Sequence, residues 1–445
     1  NDLMRLLSLA LRREIAERFP DYAELVDPKP STLADVRKLL KPGEALVAFY
    51  FAEDQGYVWA LSAEGATGFA AIPMRRDELA REVASLRRAL DPSVADLDAI
   101  PPFDVAAAHA LYLKLLKPVE AVWRGAHTLL IAPHAALGQL PLALLPTVAV
   151  PQPGKTAVPF DGYRKVPWLL RETALAQLPS VTALASLRRL PPGDASRRPF
   201  AGFGDRSFSA EHSSASSSMR GAVRLRATPR TVTVNSASLA LLPRLPDTND
   251  EIREIARVLG ANSDEDIFLR TRATEKTVLE TDLSKRRVVM FATHGLVPGD
   301  LDGLTQPALA LTSPVVAEGA GDGLLAMDEV LSLKLDADWV VLSACNTAAG
   351  EGAGAEAVSG LGRAFFYAGA RALLVSSWPV ETVAARLLMT EMFRRQQRGA
   401  GKAEALRQSM LALIDGPGSV DPATGGPEYS YAHPLFWAPF VMVGD

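Results

Sequence analysis

The sequence is short of sulfur: Cys345 is the single cysteine among 445 residues. That excludes an intrachain disulfide and any Cys-rich metal site, and it sets the expectation of a reducing compartment, the cytoplasm. Long apolar runs are missing too. None reaches the roughly 18 residues of a spanning helix, and Asn1-Asp2-Leu3-Met4-Arg5 opens no signal-peptide core, so no membrane partner is expected. Charge of one sign is absent: 47 Lys and Arg against 51 Asp and Glu leave a net charge of -4. With no basic stripe interleaved with aromatics, direct nucleic-acid binding is not expected. The sequence has no G-x-S-x-G elbow, no H-E-x-x-H and no Cys pair. Gly154-Lys155-Thr156 has the end of a phosphate loop, but Ala149 stands where the first Gly belongs, and Pro151 and Pro153 break the loop. Asp300, Asp302 and Asp322 lack calcium-loop spacing. Neither a cofactor nor a metal is expected. The chain does not begin with Met, and the expectation is a fragment of something longer.

What is present is a globular composition, 48% hydrophobic and 22% charged, in a chain long enough for two or three cores. Residues 1–41 read as helices, with Ser31-Thr32 as a cap for one running through Leu40. Leu46–Phe51 and Tyr57–Leu61 read as a hairpin around Asp54-Gln55-Gly56. Arg75–Leu90 and Val105–Val122 read as helices, His127–Ala132 as a buried strand, Trp168–Leu178 as another strand and Ser180–Leu187 as a helix. A Pro-Pro-Gly start makes 191–198 a linker and a domain boundary. Phe200–Gly204 opens the second domain, and 207–238, rich in Ser, Ala and Arg, reads as a long surface loop. Asp247–Leu259 is helical with Asp247 or Thr248 as cap, followed by strand Ile267–Leu269 and a helix capped by Thr274. Strands Arg287–Thr293, Ala308–Leu311, Trp339–Leu342 and Arg371–Ser377 follow, with helices at 327–331, 355–370, 382–398 and 403–413 and a last strand at 436–443. Strands alternating with helices argue for an α/β fold with mostly parallel sheets flanked by helices.

Two strands deliver reactive side chains at their carboxyl ends: RVVMFAT runs into His294-Gly295, and WVVL into Ser343-Ala344-Cys345. A cysteine attacks a carbonyl as thiolate, and its ordinary pKa of about 8.5 leaves little thiolate at neutral pH without a neighbouring base. An imidazole in reach takes that proton and returns it to the leaving amine. Gly295 lets backbone N–H groups approach an oxyanion. The step of 51 residues from His294 to Cys345 matches the caspase spacing of about 50, although the caspase consensus around the cysteine is absent. The plain alternatives are a Cys345 packed as a small hydrophobe and a His294 that is structural. His109 and His127 read as structural, His212 as exposed and His433, before Pro434, as turn chemistry. His134 ends HTLLIAPH as His294 ends RVVMFATH, with no cysteine in that half to partner it.

FATHG, VLSACNTAAGEG, GLGRAFFYAGARALLVSSWPV, HPLFWAPFVMVG and FAGFGD together resemble the CHAT domain, a caspase- and separase-like bacterial peptidase domain often found after tetratricopeptide repeats. The resemblance covers roughly residues 44 to 445. It implies two caspase-like α/β subdomains, a pseudo-copy at 42–192 and an active one at 193–445 with its loop at 207–238. Residues 1–41 become the tail of an upstream helical-repeat sensor region. It also implies His294 as general base, Cys345 as nucleophile, and the N–H groups of Gly295 and Cys345 as oxyanion hole. Relatives pair the substrate backbone with the segment matching Ser376-Ser377-Trp378. Many carry two acidic residues after W-P-V, where this chain has Glu381 and Thr382. Glu381, Asp300 and Asp302 are the acidic candidates for a basic P1 residue, and Glu381 read plainly just starts a helix.

The expectation is a cysteine endopeptidase cleaving a partner protein in bacterial antiviral defence or programmed death, a gasdermin-like pore former or other effector being the kind relatives act on. Residues 207–238 carry Arg220, Arg224, Arg226 and Arg230, so cleavage there is a candidate activating event, while the plainer reading, and the favoured one, is a solvated loop. The rival readings are a catalytically silent caspase-like scaffold or interaction module, and a thiol acyltransferase on the same site.

Overall fold

The computed structural model describes residues 32–92, 97–206, 239, 242, 244–298, 304–317, 321–343, 360–421 and 423–445. The first part of the N-terminal helical segment, the 207–238 loop, His212, Asp300, Asp302 and Cys345 lie outside them.

The strands are β1 (Glu44–Phe51), β2 (Gly56–Ser62), β3 (Thr67–Ile72), β4 (Thr128–Ala132), β5 (Ala174–Gln177), β6 (Arg198–Gly204), β7 (Ile267–Leu269), β8 (Arg286–Phe291), β9 (Gly295–Leu296), β10 (Ala308–Ala310), β11 (Leu324–Ala326), β12 (Trp339–Leu342), β13 (Ala372–Ser376), β14 (Ser419–Val420), β15 (Pro427–Tyr429) and β16 (Phe440–Gly444). Eleven of them form one sheet in the order β3-β2-β1-β4-β5-β16-β13-β12-β8-β6-β7. The two expected subdomains therefore share a sheet rather than owning one each. They meet where β5 and β16 pair in parallel at Gln177 and Val443. The sheet is mostly parallel; β1–β2, β2–β3 and β13–β16 are its antiparallel pairs. Because β16 is antiparallel to β13 but parallel to β5, the parallel sets of the two halves run in opposite directions.

In the second half, alternation along each strand sorts the two cores, because successive side chains point to opposite faces. Phe200, Val288, Met290, Trp339, Val341, Ala372 and Leu374 join one cluster, which runs on into the first half. Ala201, Phe203, Val289, Phe291, Val340, Leu342, Leu373 and Val375 join the other. There Phe203 stacks on Phe268 and Phe291, with ring centroids 4.7 and 5.2 Å apart.

Among the described residues, the helices of seven residues or more are α1 (Leu33–Leu39), α2 (Arg76–Arg87), α3 (Val105–Leu115), α4 (Ala183–Arg189), α5 (Asp247–Leu259), α6 (Gly360–Tyr367), α7 (Thr382–Gln397) and α8 (Lys402–Asp415). α5 packs on β6 and α7, α7 on α8, and α8 on β5, so this row crosses from one half to the other. The side chains of Thr32 and Thr274 cap their helices as expected.

Several expectations change. The helix from Val105 stops at Leu115, because Pro118 cannot continue the backbone ladder, and a 3-10 turn and Glu120–Trp123 follow it. Trp168–Leu178 is not one strand: Leu169–Glu172 is a helical turn that buries Leu169 and Leu170, and β5 starts at Ala174. Pro246, not Asp247 or Thr248, stands at the start of α5, and the Thr248 hydroxyl instead accepts from Asp205 N–H at 2.8 Å. The last strand begins at Phe440, after a turn at Pro434–Trp437. β3 and β11 were not expected; Thr-Gly-Phe-Ala-Ala and Leu-Leu-Ala carry too few β-branched residues to announce a strand.

One guanidinium bridges the halves. Arg87 of α2 donates to Gln139 O at 2.6 Å and to Ser377 O at 2.9 Å, and its Cζ lies 6.0 Å from the Trp378 ring centroid. Burial lowers its pKa from the ordinary value, and Asp91 offsets part of that. Arg87→Met keeps the apolar stem and strands two inward-facing carbonyls, each costing about 1–3 kcal/mol. We expect a loss of about 2–4 kcal/mol in urea unfolding at unchanged m-value; a loss under about 0.5 kcal/mol, the size of an ordinary surface substitution, removes the clamp.

Candidate active site

The parallel strands β6, β8, β12 and β13 are neighbours, so their carboxyl ends lie along one edge of the sheet, where open α/β folds build sites. The register fixes which residues share a level. Phe291 pairs with Phe203 on one side and with Leu342 on the other, and Leu342 pairs with Val375. Past β12 the ladder continues for one residue: Ser343 N–H donates to Phe291 O at 3.0 Å, and Thr293 N–H donates to Ser343 O at 3.2 Å. Ser343, Thr293 and His294 are all fully buried.

His294 is anchored from the other side as well. Its carbonyl accepts from Ala310 N–H at 2.9 Å, and the Thr293 hydroxyl donates to Ala310 O. That bond opens a three-stranded sheet, β11-β10-β9, which stands on the main one. The His294–Ala310 bond sets the ladder's parity, making the next pair, Gly295–Leu309, a non-hydrogen-bonded one. The Gly295 N–H therefore points away from β10, as an oxyanion donor must.

Past Gly204 the chain leaves the β6–β8 ladder, and the Asp205 N–H donates to Thr248 Oγ1 instead. Asp205 has φ of 44°, in the left-handed region that non-glycine residues seldom occupy. A Cβ on Gly204 would come within 2.4 Å of Ile252 Cδ1, so this close approach needs glycine.

Ser376, Ser377 and Trp378 are buried. Ser376 pairs with Phe440, and Ser377 N–H donates to Pro439 O at 2.8 Å. The Trp378 indole donates to Leu435 O at 3.1 Å inside the core. Trp378 is thus packed under this edge, not displayed on it. Glu381 is buried at the N-terminus of α7, where its Oε2 accepts from Ala384 N–H at 2.7 Å. It also disfavours ionisation of Tyr429 and Tyr431, whose pKa values are raised chiefly by burial. Asp300, Asp302 and Cys345 lie outside the described residues, so the structure does not bring the expected set together. Grooves of about 410 and 750 Å³, lined by residues such as Arg386, Thr390 and Leu413, and Leu46, Trp59 and Phe69, lie away from this edge.

The other histidines read from the sequence have structural partners or sit outside. His109 Nδ1 lies 2.9 Å from Pro146 O. His134 Nδ1 accepts from Phe51 N–H at 3.1 Å. His127 is exposed beside Gly43, with Nδ1 3.2 Å from a Cβ built there. His433 caps the Pro434 turn by accepting from Leu435 N–H at 3.2 Å, within contact of Phe103, Phe160, Tyr163 and Phe436.

The sequence profile of the CHAT domain matches residues 105–445, well over half of the chain. The chain belongs to the CHAT domain family. The match begins at α3, later than the residue 44 expected from motifs, and contains His294, Gly295, Cys345 and all of β4 through β16. This CHAT chain is similar to human Tetratricopeptide repeat protein 28, 25% identical over 229 residues that are 45% of this chain and 8% of that protein. The mouse protein of the same name is 24% identical over 228 residues, 45% of this chain and 9% of its own length. The CHAT chain thus aligns with under a tenth of these relatives. Among solved structures, a separase–securin complex of Saccharomyces cerevisiae covers 92% of this chain and 30% of its own at 9% identity and a TM-score of 0.49. The Arg specific cysteine proteinase gingipain R covers 83% and 74% at 10% identity and a TM-score of 0.37. No helix among the described residues is long and apolar enough to cross a membrane.

Burial holds the His433 pKa down to about 3, against an ordinary value of about 6.5. The unfolded chain therefore takes up a proton that the fold refuses, and stability present above pH 6.5 is lost as pH falls toward 3, by at most about 1.4 kcal/mol per pH unit. His433→Asn keeps an acceptor for Leu435 N–H and removes the titration. Its urea-unfolding free energy should fall less steeply than the wild type's between pH 6.5 and 4; parallel curves would show that His433 ionises freely in the fold.

Proposed function

We propose that this CHAT domain is a cysteine endopeptidase with His294 as base and Cys345 as nucleophile. The register of β8 and β12 carries the reading. Trp339 pairs with Val288 and Leu342 with Phe291, an offset of 51 residues, and the Ser343 bonds keep it. Cys345 follows Ser343 by two positions in the sequence, and the same 51 residues separate it from His294.

In the proposed reaction His294 takes the Cys345 proton, and the thiolate attacks the scissile carbonyl carbon. The resulting oxyanion is held by the N–H groups of Gly295 and Cys345. The imidazolium then protonates the leaving amine as the C–N bond breaks. Water, deprotonated by the same imidazole, releases the acyl group and restores the thiol. In this reading the substrate strand pairs along the backbone of Ser376–Trp378. The division into a pseudo-subdomain at 42–192 and an active one at 193–445 belongs to this reading, as do a cytoplasmic setting and a bacterial defence or cell-death role with a gasdermin-like or other effector as substrate. The tetratricopeptide relatives support an upstream helical-repeat sensor.

One observation favours a second reading. His294 is fully buried, as in a silent scaffold or in a form awaiting activation. Incubating a randomised peptide library with wild type and with Cys345→Ala, read by mass spectrometry, separates these. The expected result is cuts from the wild type that fall by at least about 10³-fold in the variant, as nucleophile removal does elsewhere. Equal cutting by both proteins, or none even after limited proteolysis within 207–238, together with a Cys345 thiol that titrates near its ordinary 8.5, would establish the scaffold.

A further inference from the structure

We propose that the apolar side of residues 3–11 packs on the open face of the β1–β2–β3 ribbon, against its row of aromatic side chains.

The register defines that face. Ala48 pairs with Trp59 and Trp59 with Phe69; two residues along, Tyr50 pairs with Tyr57. Alternation puts these side chains on one face of the ribbon, and Val47, Phe49 and Val58 on the other. The second face is covered: Val47, Phe49 and Val58 are buried, and a Cβ on Gly68 would meet Val119 and Val122. The first face is open. Tyr50 is 49% exposed and Phe69 59%. Ring centroids of Tyr57, Trp59 and Phe69 lie 5.3 to 6.1 Å apart. They form one patch, unlike the single apolar residues that any surface carries. The groove of about 750 Å³ lined by Leu33, Val36, Leu46, Trp59 and Phe69 runs along it.

Chain connection says what covers this face. Leu33 and Val36 share a side of α1. Val36 is buried, but Leu33, at the start of the helix, is 56% exposed. The apolar side of α1 is therefore bare at the end where residues 1–31 join it. Those residues lie outside the described ones. Their sequence carries Leu3, Leu6, Leu7, Ala10 and Leu11 at helical spacing, with Arg5 and Arg12 opposite. An apolar sheet face is stable when another element covers it, and a helix with one apolar side is such an element. Extended, the chain from Leu11 to Thr32 reaches about 70 Å, so the connection sets no limit. A tether also holds its segment at an effective concentration of about a millimolar. A second copy of the chain or a separate partner has to compete with that.

Trp59 reports on the patch. The chain has six tryptophans; Trp59 is half-buried, and Trp123, Trp168, Trp339, Trp378 and Trp437 are at most 1% exposed. Acrylamide therefore quenches Trp59 selectively when the patch is bare. In the full wild-type chain the quenchable emission should be near zero. Leu3→Asp/Leu7→Asp should raise it to about one sixth of the total, one tryptophan of the six, and Trp59→Phe in that background should abolish the rise. Arg5→Glu/Arg12→Glu, on the opposite side, should leave Trp59 protected. Free quenching of Trp59 in the wild type overturns the proposal, and so does protection that Leu3→Asp/Leu7→Asp fails to lift. Equal unmasking by Arg5→Glu/Arg12→Glu overturns packing through the apolar side. Protection lost on dilution assigns the patch to a second copy and overturns the proposal as well.

Discussion

The geometry of this edge depends on the register between β8 and β12. A slip of one residue in a strand pair turns every side chain to the opposite face. Here that would exchange Val288 and Met290 with Val289 and Phe291, which lie in different cores. Both cores are closely filled, so the register is over-determined by packing before any catalytic group is considered. The Phe291–Ser343–Thr293 hydrogen bonds then carry it past the end of β12. The 51-residue spacing between His294 and Cys345 in the sequence equals the offset of these paired strands.

The first half makes the same strand and the same histidine but cannot make the same site. Its parallel set runs opposite to that of the second half, so His134, past β4, lies at the other edge of the sheet from His294. There its Nδ1 is occupied by Phe51 N–H. The first half contributes by holding the second. Arg87 reaches across to Ser377, and Arg188 joins Glu44 to Asp445 beside the last strand, at 2.7 and 2.8 Å. Those pairs are largely shielded from water, where breaking one partner is expensive even though the pair itself adds little.

The legible part of the sequence was the part governed by period and by turn chemistry. RVVMFAT and WVVL are apolar throughout because parallel strands are buried on both faces, and Gly295 after His294 marked a backbone approach. What could not be read was anything set by a partner far away in the chain. Trp168-Leu169-Leu170 looks like a strand until Leu169 N–H finds Leu145 O and a helical turn forms. Glu381 looked like a substrate contact because it follows a catalytic-looking strand, yet its carboxylate serves the backbone of α7, and the side chain of Trp378 belongs to the core.

On the peptidase reading, the full burial of His294 means that substrate access requires something to move. β8, β12 and β6 are inner strands of the large sheet, locked between two cores. The β9–β10–β11 sheet is short-stranded, and its own apolar cluster around Leu296, Ala308, Ala310 and Leu324 is separate from both. Local opening is cheapest where few buried apolar contacts are lost. Lifting this sheet breaks the Ala310 bond to the His294 carbonyl and leaves the β8–β12 register untouched. Such an opening leaves the level of His294 assembled between the two cores.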